Sequence, residues 1–250
     1  MRPRTAIAAD LHCHTVASGH AFNTVDEMIT QARSLGLRVL GISDHGPNMV
    51  GGPTPGYFEM GDRLPRRAGR TTVLFGCEAN ILDHRGSLDV GRPGRDMLDY
   101  VMAGLHLRTS YPARSSRKEN TAAILATIRG GHVDAITHPF TSAFPVDIVA
   151  VAKCAADHDV MLEVNCSRLR QVTGKPGDAA AREELIAIRR MLQVLEASGG
   201  NFIIGSDAHH RSALGCTREE ILKFSTVLEA DLSGSVNNDV PGLFSRLGLA

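Results

Sequence analysis

Short apolar runs recur along this chain, and almost every one stops at a histidine or an acidic residue. Residues 5–11, 38–43, 71–77, 100–105, 133–137, 160–164 and 201–205 each read as a buried strand. At their carboxyl ends stand Asp10, His12 and His14, then Asp44 and His45, Glu78, His106, His138, Asn165, and Asp207 with His209. Helix signals fill the gaps between runs. Thr24-Val-Asp-Glu27 has the form of a capping box opening a helix to about Leu35, and Gly36 ends it. Asn120 reads as the cap of a helix that ends at Gly130-Gly131. Residues 146–158, 179–197 and 218–230 carry apolar residues at helical spacing. Residues 46–56 are a long Gly- and Pro-rich loop, residues 58–67 read as a short helix, and His84-Arg-Gly86 as the turn of a small hairpin.

A strand followed by a connection, repeated seven times with no Pro- or Ser-rich linker, argues for parallel strands joined by crossovers. An open doubly wound sheet and a seven-stranded α/β barrel both satisfy that order. The strand-end residues decide between them. A barrel gathers the carboxyl ends of its strands on one face, whereas an open sheet spreads them across its width. The expectation is therefore a barrel over residues 1–250 as one domain, with residues 231–250 as a peripheral tail.

Within Asp10-Leu-His-Cys-His14 the strand period of two predicts Asp10, His12 and His14 on one face, with Leu11 and Cys13 on the other. The same period pairs Asp207 with His209. Imidazoles and carboxylates are metal-ligand types, and this chain holds more of them at strand ends than one ion needs, since a catalytic zinc site uses about three protein ligands and a water. Two or three divalent ions are implied, Zn first, with Mn or Fe as alternatives.

Composition narrows the function classes. With 27 basic and 27 acidic residues the formal net charge is zero, so there is no global attraction to nucleic acid or anionic lipid. Five cysteines without a CxxC pair do not form a disulfide framework and suit a reducing cytoplasm. The opening segment, with Arg2 and Arg4, has too short an apolar stretch for a signal-peptide core, and no run is long enough to span a membrane. GxSxG, P-loop, HExxH and GxGxxG patterns are missing from the sequence, which sets aside serine hydrolase, NTPase and dinucleotide readings.

Taken in order, Asp10-Leu-His-Cys-His14, Ser43-Asp-His45, Gly76-Cys-Glu78 with His106, and His138-Pro139 with Gly205-Ser-Asp-Ala-His209 resemble the four motifs of the PHP (polymerase and histidinol phosphatase) family. The resemblance spans residues 7 to about 215. Thr15-Val-Ala-Ser-Gly-His20, Asp44-His-Gly-Pro47 and Glu78-Ala-Asn80 look like its YcdX-type phosphatase subgroup. It implies a distorted seven-stranded (βα)7 TIM-like barrel with a trinuclear site. One ion would take His12, His14, Glu78 and Asp207; a second Glu78, His106 and His138; a third His20, His45 and His209.

On this reading the chain is a metal-dependent phosphatase that hydrolyses a small organic phosphomonoester by metal-bound hydroxide, with Glu78, Asp207 and His209 as catalytic candidates. The alternatives are a histidinol phosphatase, a phosphodiesterase or nuclease of the same family, and a metal-bound regulatory module without turnover. Asp10 and Asp44 are expected to orient ligand imidazoles, Asp44 having a turn cap as its other reading. Asn165, Arg168 and Arg170 are the expected substrate contacts, the two arginines having surface salt bridges as theirs. His84, His132, His158 and His210 read as surface or capping residues, and Cys13 and Cys77 as core. A cytoplasmic location and a homo-oligomer, a trimer by resemblance, complete the expectation.

Overall fold

The computed structural model describes residues 5–249; Arg2 and Arg4 lie outside the described residues. Among these residues the strands are β1 (Ala9–Asp10), β2 (Val39–Ile42), β3 (Arg67–Ala68), β4 (Thr71–Asn80), β5 (Tyr100–Gly104), β6 (Ala135–Ile136), β7 (Met161–Asn165) and β8 (Phe202–Gly205). β3 pairs antiparallel with β4 in a tight hairpin. The other seven are parallel and follow one another in chain order, forming the nearly closed, distorted barrel expected. Register runs from Ala9 beside Val39 through Gly76 beside Tyr100 to Leu162 beside Phe202.

The helices are α1 (Val25–Leu35), α2 (Arg92–Arg95), α3 (Arg117–Arg129), α4 (Ile148–Asp157), α5 (Cys166–Thr173), α6 (Ala179–Ser198), α7 (Arg218–Leu228) and α8 (Val240–Arg246). α1 starts at the Thr24 and Glu27 capping box and stops at Gly36, whose φ of 79° suits glycine. α3 begins earlier than the sequence suggests. Its cap is Ser116, boxed with Glu119, because Asn120 is turned inward to accept the Tyr111 hydroxyl and to donate to the Pro145 carbonyl. Residues 58–67 do not form the expected helix: a single 3-10 turn at Gly61–Arg63 runs into the β3 hairpin. Residues 166–170 open α5, because the Asn165 side chain caps Arg168 N–H and starts the helix directly off β7.

Alternate strand residues fill the barrel: Ala9, Val39, Leu74, Tyr100, Met102, Ala135, Met161 and Ile203 are all buried together. Tyr100 is the widest of them. A Cβ on Gly76 would lie 2.2 Å from its ring, so only glycine fits opposite. The layer of strand-end histidines and carboxylates sits above this plug. The strict alternation expected for Asp10 to His14 fails: Leu11 packs inside with Ala9, whereas Cys13 belongs to the outer core. The ladder of β1 ends at Asp10, which frees the chain to turn His12 inward.

The seam between β1 and β8 is closed by other means. At its carboxyl end Asp207 N–H donates to the His12 carbonyl at 2.8 Å and His14 N–H to Ala208 at 3.0 Å. At its amino end the Asn237 side chain acts as the missing strand. Its Nδ2 donates to the carbonyls of Ala9 and Ile204, both at 2.8 Å, and its Oδ1 accepts from Ile204 N–H. The tail expected to be peripheral is thus structural, and Val236, Val240, Leu243 and Leu247 join the inner core. No helix among the described residues is long and apolar enough to cross a membrane.

Candidate metal centre

Apart from His20, which follows the 3-10 turn Val16–Ser18, each ligand-type side chain reaches the site from the residues just past, or on, a strand's carboxyl end. Glu78, on β4, stands in the middle and is fully buried. Its Oε1 lies 3.0 Å from both His106 Nε2 and His138 Nε2, while Oε2 lies 3.3 Å from His12 Nε2 and 3.4 Å from His14 Nε2. Opposite it, Asp207 Oδ1 lies 3.5 Å from His12 Nε2 and 3.2 Å from His14 Nε2. A third set stacks over His14: the His45 and His209 rings are 4.4 and 4.3 Å from it. His20, exposed at the rim, reaches His45 and His209 at 5.0 and 4.8 Å.

These donors fit divalent ions. His12 Nε2 and His14 Nε2 lie 3.1 Å apart, close enough for one cation to take both nitrogens. Glu78 Oε2 and His45 Nδ1 approach to 2.9 Å without the angle of a hydrogen bond, so both are buried and unpartnered. Three groups of ligand atoms lie within 4.8 Å of one another: His12, His14 and Asp207; His14, His45 and His209; His45, Glu78 and His106. His106 and His138 converge on one oxygen of Glu78, with His138 held at a φ of 28°. Asp207 likewise has a left-handed backbone, at 51°.

Charge follows from that crowding. Burial pushes His14 down to about 4 and His45 to about 3, so both rings stay neutral and keep their lone pairs. Burial also opposes charge on His12, but Glu163, Glu78 and Asp207 outweigh it and hold the ring well above the ordinary histidine range. His138 is raised by the Glu78 carboxylate against its burial. For Glu78 burial is outweighed by the imidazoles of His12, His106 and His45, and for Asp207 by those of His12 and His14. Both carboxylates therefore lie below the ordinary range.

The support around the ligands differs in part from the sequence expectation. Asp44 does bear on a ligand ring, through Ser18: the Ser18 hydroxyl donates to Asp44 Oδ1 at 2.6 Å and lies 3.1 Å from His14 Nδ1. Asp44 also accepts from Thr15 and Tyr57, so it is both strut and turn cap. Asp10 orients no imidazole. Its carboxylate accepts the N–H groups of His12, Ser206 and Gly215, pinning the seam. The imidazole partner is Glu163, which the sequence reading missed: Oε1 lies 2.6 Å from His12 Nδ1, and Oε2 accepts His138 N–H at 2.8 Å. A buried acid inside the apolar strand 160–164, two residues before Asn165, is the signal that identifies it.

Asn165 sits between Glu163 and Asp207, its Nδ2 3.0 Å from the first and 3.3 Å from the second. Arg168 forms a two-pronged pair with buried Glu184, at 2.8 and 2.6 Å, and still lines a cleft of about 610 Å³. That cleft also meets His138, Asp207, His209, Leu105, Phe144 and Gln171. Arg170 points elsewhere, to Glu220 and to the carbonyls of Ala213 and Gly215. His84 and His158 bond to Ser115 and the Cys154 carbonyl, away from the cluster, whereas His210, bonded to Ser212, lines the same cleft as His138 and His209.

A family model described as PHP domain matches residues 10–167. A protein of Shewanella pealeana named probable phosphatase is 38% identical over 206 residues, 82% of this chain and 79% of its own length. One of Proteus mirabilis, also named probable phosphatase, is 39% identical over 208 residues, covering 82% and 80%. Among solved structures, histidinol phosphate phosphatase of Lactococcus lactis complexed with Zn, L-histidinol and phosphate superposes with a TM-score of 0.60 at 14% identity, covering 89% of this chain and 92% of that one.

Proposed function

The chain belongs to the PHP domain family, and from that premise we propose that it is a metal-dependent phosphatase acting on a small organic phosphomonoester. The observation that carries the reading is Glu78, whose two oxygens face two separate imidazole sets across a fully buried carboxylate. Three ions fit the proposal, one on His12, His14, Glu78 and Asp207, one on Glu78, His106 and His138, and one on His20, His45 and His209. The imidazole-rich donor set favours Zn, with Mn or Fe as substitutes. Divalent ions held there supply an acidified water at neutral pH and positive charge against phosphoryl oxygens.

The chain's own groups do the rest. Glu163 and the Asp44–Ser18 strut fix the His12 and His14 rings so that Nε2 of each faces the ions. The cleft beside His138 and His209 receives the organic part of the ester between Leu105 and Phe144, with Arg168 and Gln171 at its edge. Arg168, held rigid by Glu184, offers that part a positive charge without swinging out.

The test is the initial rate of hydrolysis of an aryl phosphomonoester by purified protein before chelation, after chelation, and after Zn or Mn is returned. A rate lost to chelator and restored by metal is expected. No rate with ions confirmed present would overturn the reading.

A further inference from the structure

At the end of the barrel away from the metal centre, a cavity of about 990 Å³ opens between the amino ends of β1, β2 and β4. Four arginines line it: Arg33 from the last turn of α1, Arg38 just before β2, and Arg67 and Arg70 on the β3 hairpin. No described aspartate or glutamate lines the cavity, and none of the four makes an ion pair among the described residues. Arg33 lies against the hairpin tip. A Cβ placed on Gly69 would meet its Nε at 3.6 Å and its Nη2 at 3.7 Å. Ser34 and Asn238 add neutral hydrogen-bonding groups to the same wall.

Four like charges facing one concavity repel one another, and a protein of zero net charge has acidic residues to spare for neutralising them. Eight other arginines, Arg66 and Arg170 among them, each have a carboxylate partner among the described residues, and arginines without one, such as Arg190 and Arg218, do not line this cavity. We propose that the Arg33, Arg38, Arg67 and Arg70 cavity is a binding site, distinct from the metal centre, for a soluble small molecule carrying two or more phosphate groups. Guanidinium forks match phosphate oxygens two at a time, and the volume is that of a small-molecule site. A nucleic acid strand suits it less, because no aromatic residue lines the cavity to stack a base. A lipid surface suits it less too, since none of the large exposed apolar side chains borders it.

The test uses metal-loaded protein and a fluorescent pyrene trisulfonate, whose sulfonates carry phosphate-like charge but chelate metals poorly, with binding read by anisotropy. Saturable binding is expected, weakened about tenfold or more in the Arg38→Ala/Arg70→Ala double variant. Arg190→Gln, on a different exposed surface, is the control and should bind as wild type. Tripolyphosphate should displace the dye at lower concentration than orthophosphate. The dye should still bind after His12→Ala, which separates this site from the metal centre. No saturable binding, equal weakening in Arg190→Gln, or tighter displacement by a single-stranded oligonucleotide than by tripolyphosphate would each overturn the proposal.

Discussion

Glu163 Oε1 lies 2.6 Å from His12 Nδ1, the shortest of the carboxylate approaches to that ring, and both side chains are fully buried. Gly205 makes the approach possible, because a Cβ there would lie 1.9 Å from the same Oε1. The second oxygen of Glu163 holds the N–H of His138, so one carboxylate fixes the ring of one proposed ligand and the strained backbone of another.

Glu163→Gln should keep the fold but weaken metal affinity by about 10- to 100-fold, the usual effect of losing a partner that orients a ligand imidazole. Competition against a chelating indicator measures it. Unchanged affinity would remove Glu163 from the metal centre.

Glu78→Gln should lower metal content by more than one ion per chain, because its two oxygens face different imidazole sets. His158→Ala, whose ring bonds to the Cys154 carbonyl at a helix end, should lower neither metal content nor rate. Elemental analysis of both variants tells the two positions apart.

Metal uptake should release protons near neutral pH. His14 and His45, pushed down to about 4 and about 3, are already neutral, and Glu78 and Asp207 are already ionised. His12 and His138 are raised above the ordinary range, so they hold protons that an ion must displace. Affinity should therefore rise with pH until those two rings are neutral, and fall as acid recharges them. Calorimetric titration with Zn at about pH 6 in two buffers of different ionisation heat reads the release. Identical heats in both buffers would contradict it.

Arg170→Met should cost stability rather than turnover. Its guanidinium joins α5 to Glu220 and to the carbonyls of Ala213 and Gly215, with the pair about a third exposed. A loss of about 1–2 kcal/mol in urea unfolding, with kcat unchanged, is expected. Arg168→Met, on the cleft wall, should instead raise KM for the phosphomonoester.

Asn237→Ala leaves three buried backbone groups at the seam without partners, an expected cost of about 2–4 kcal/mol. Metal content of the folded fraction should be unchanged. Thermal denaturation followed by circular dichroism checks the first expectation and elemental analysis the second.

The convergence of the ligand-type residues is legible in the sequence because a barrel makes strand ends converge, so a residue's place in its strand stands in for its place in space. His106 and His138, far apart in the chain, meet on one oxygen of Glu78 for that reason alone. The struts are less legible. Asp10 and Asp44 adjoin ligand histidines equally well in the sequence, yet one pins backbone N–H groups and the other a serine under His14. Side-chain direction decides between them, and it changes where the β1 ladder ends. Asn237 is illegible for a different cause, since nothing in a polar tail announces that its amide completes a sheet some 228 residues away.

That amide also sets an order of events. Ala9 emerges from the ribosome 228 residues before Asn237, yet they share one hydrogen bond, and His12 and Asp207 share one ion pair across the same seam. Until Asn237 has been synthesised the amino end of the seam lacks its side-chain bridge, and until residue 207 has been synthesised the proposed set of His12, His14 and Asp207 is incomplete. Full loading of that set is thus expected only after residue 207 has joined the barrel, and a nascent chain stalled before it offers only part of the proposed ligands.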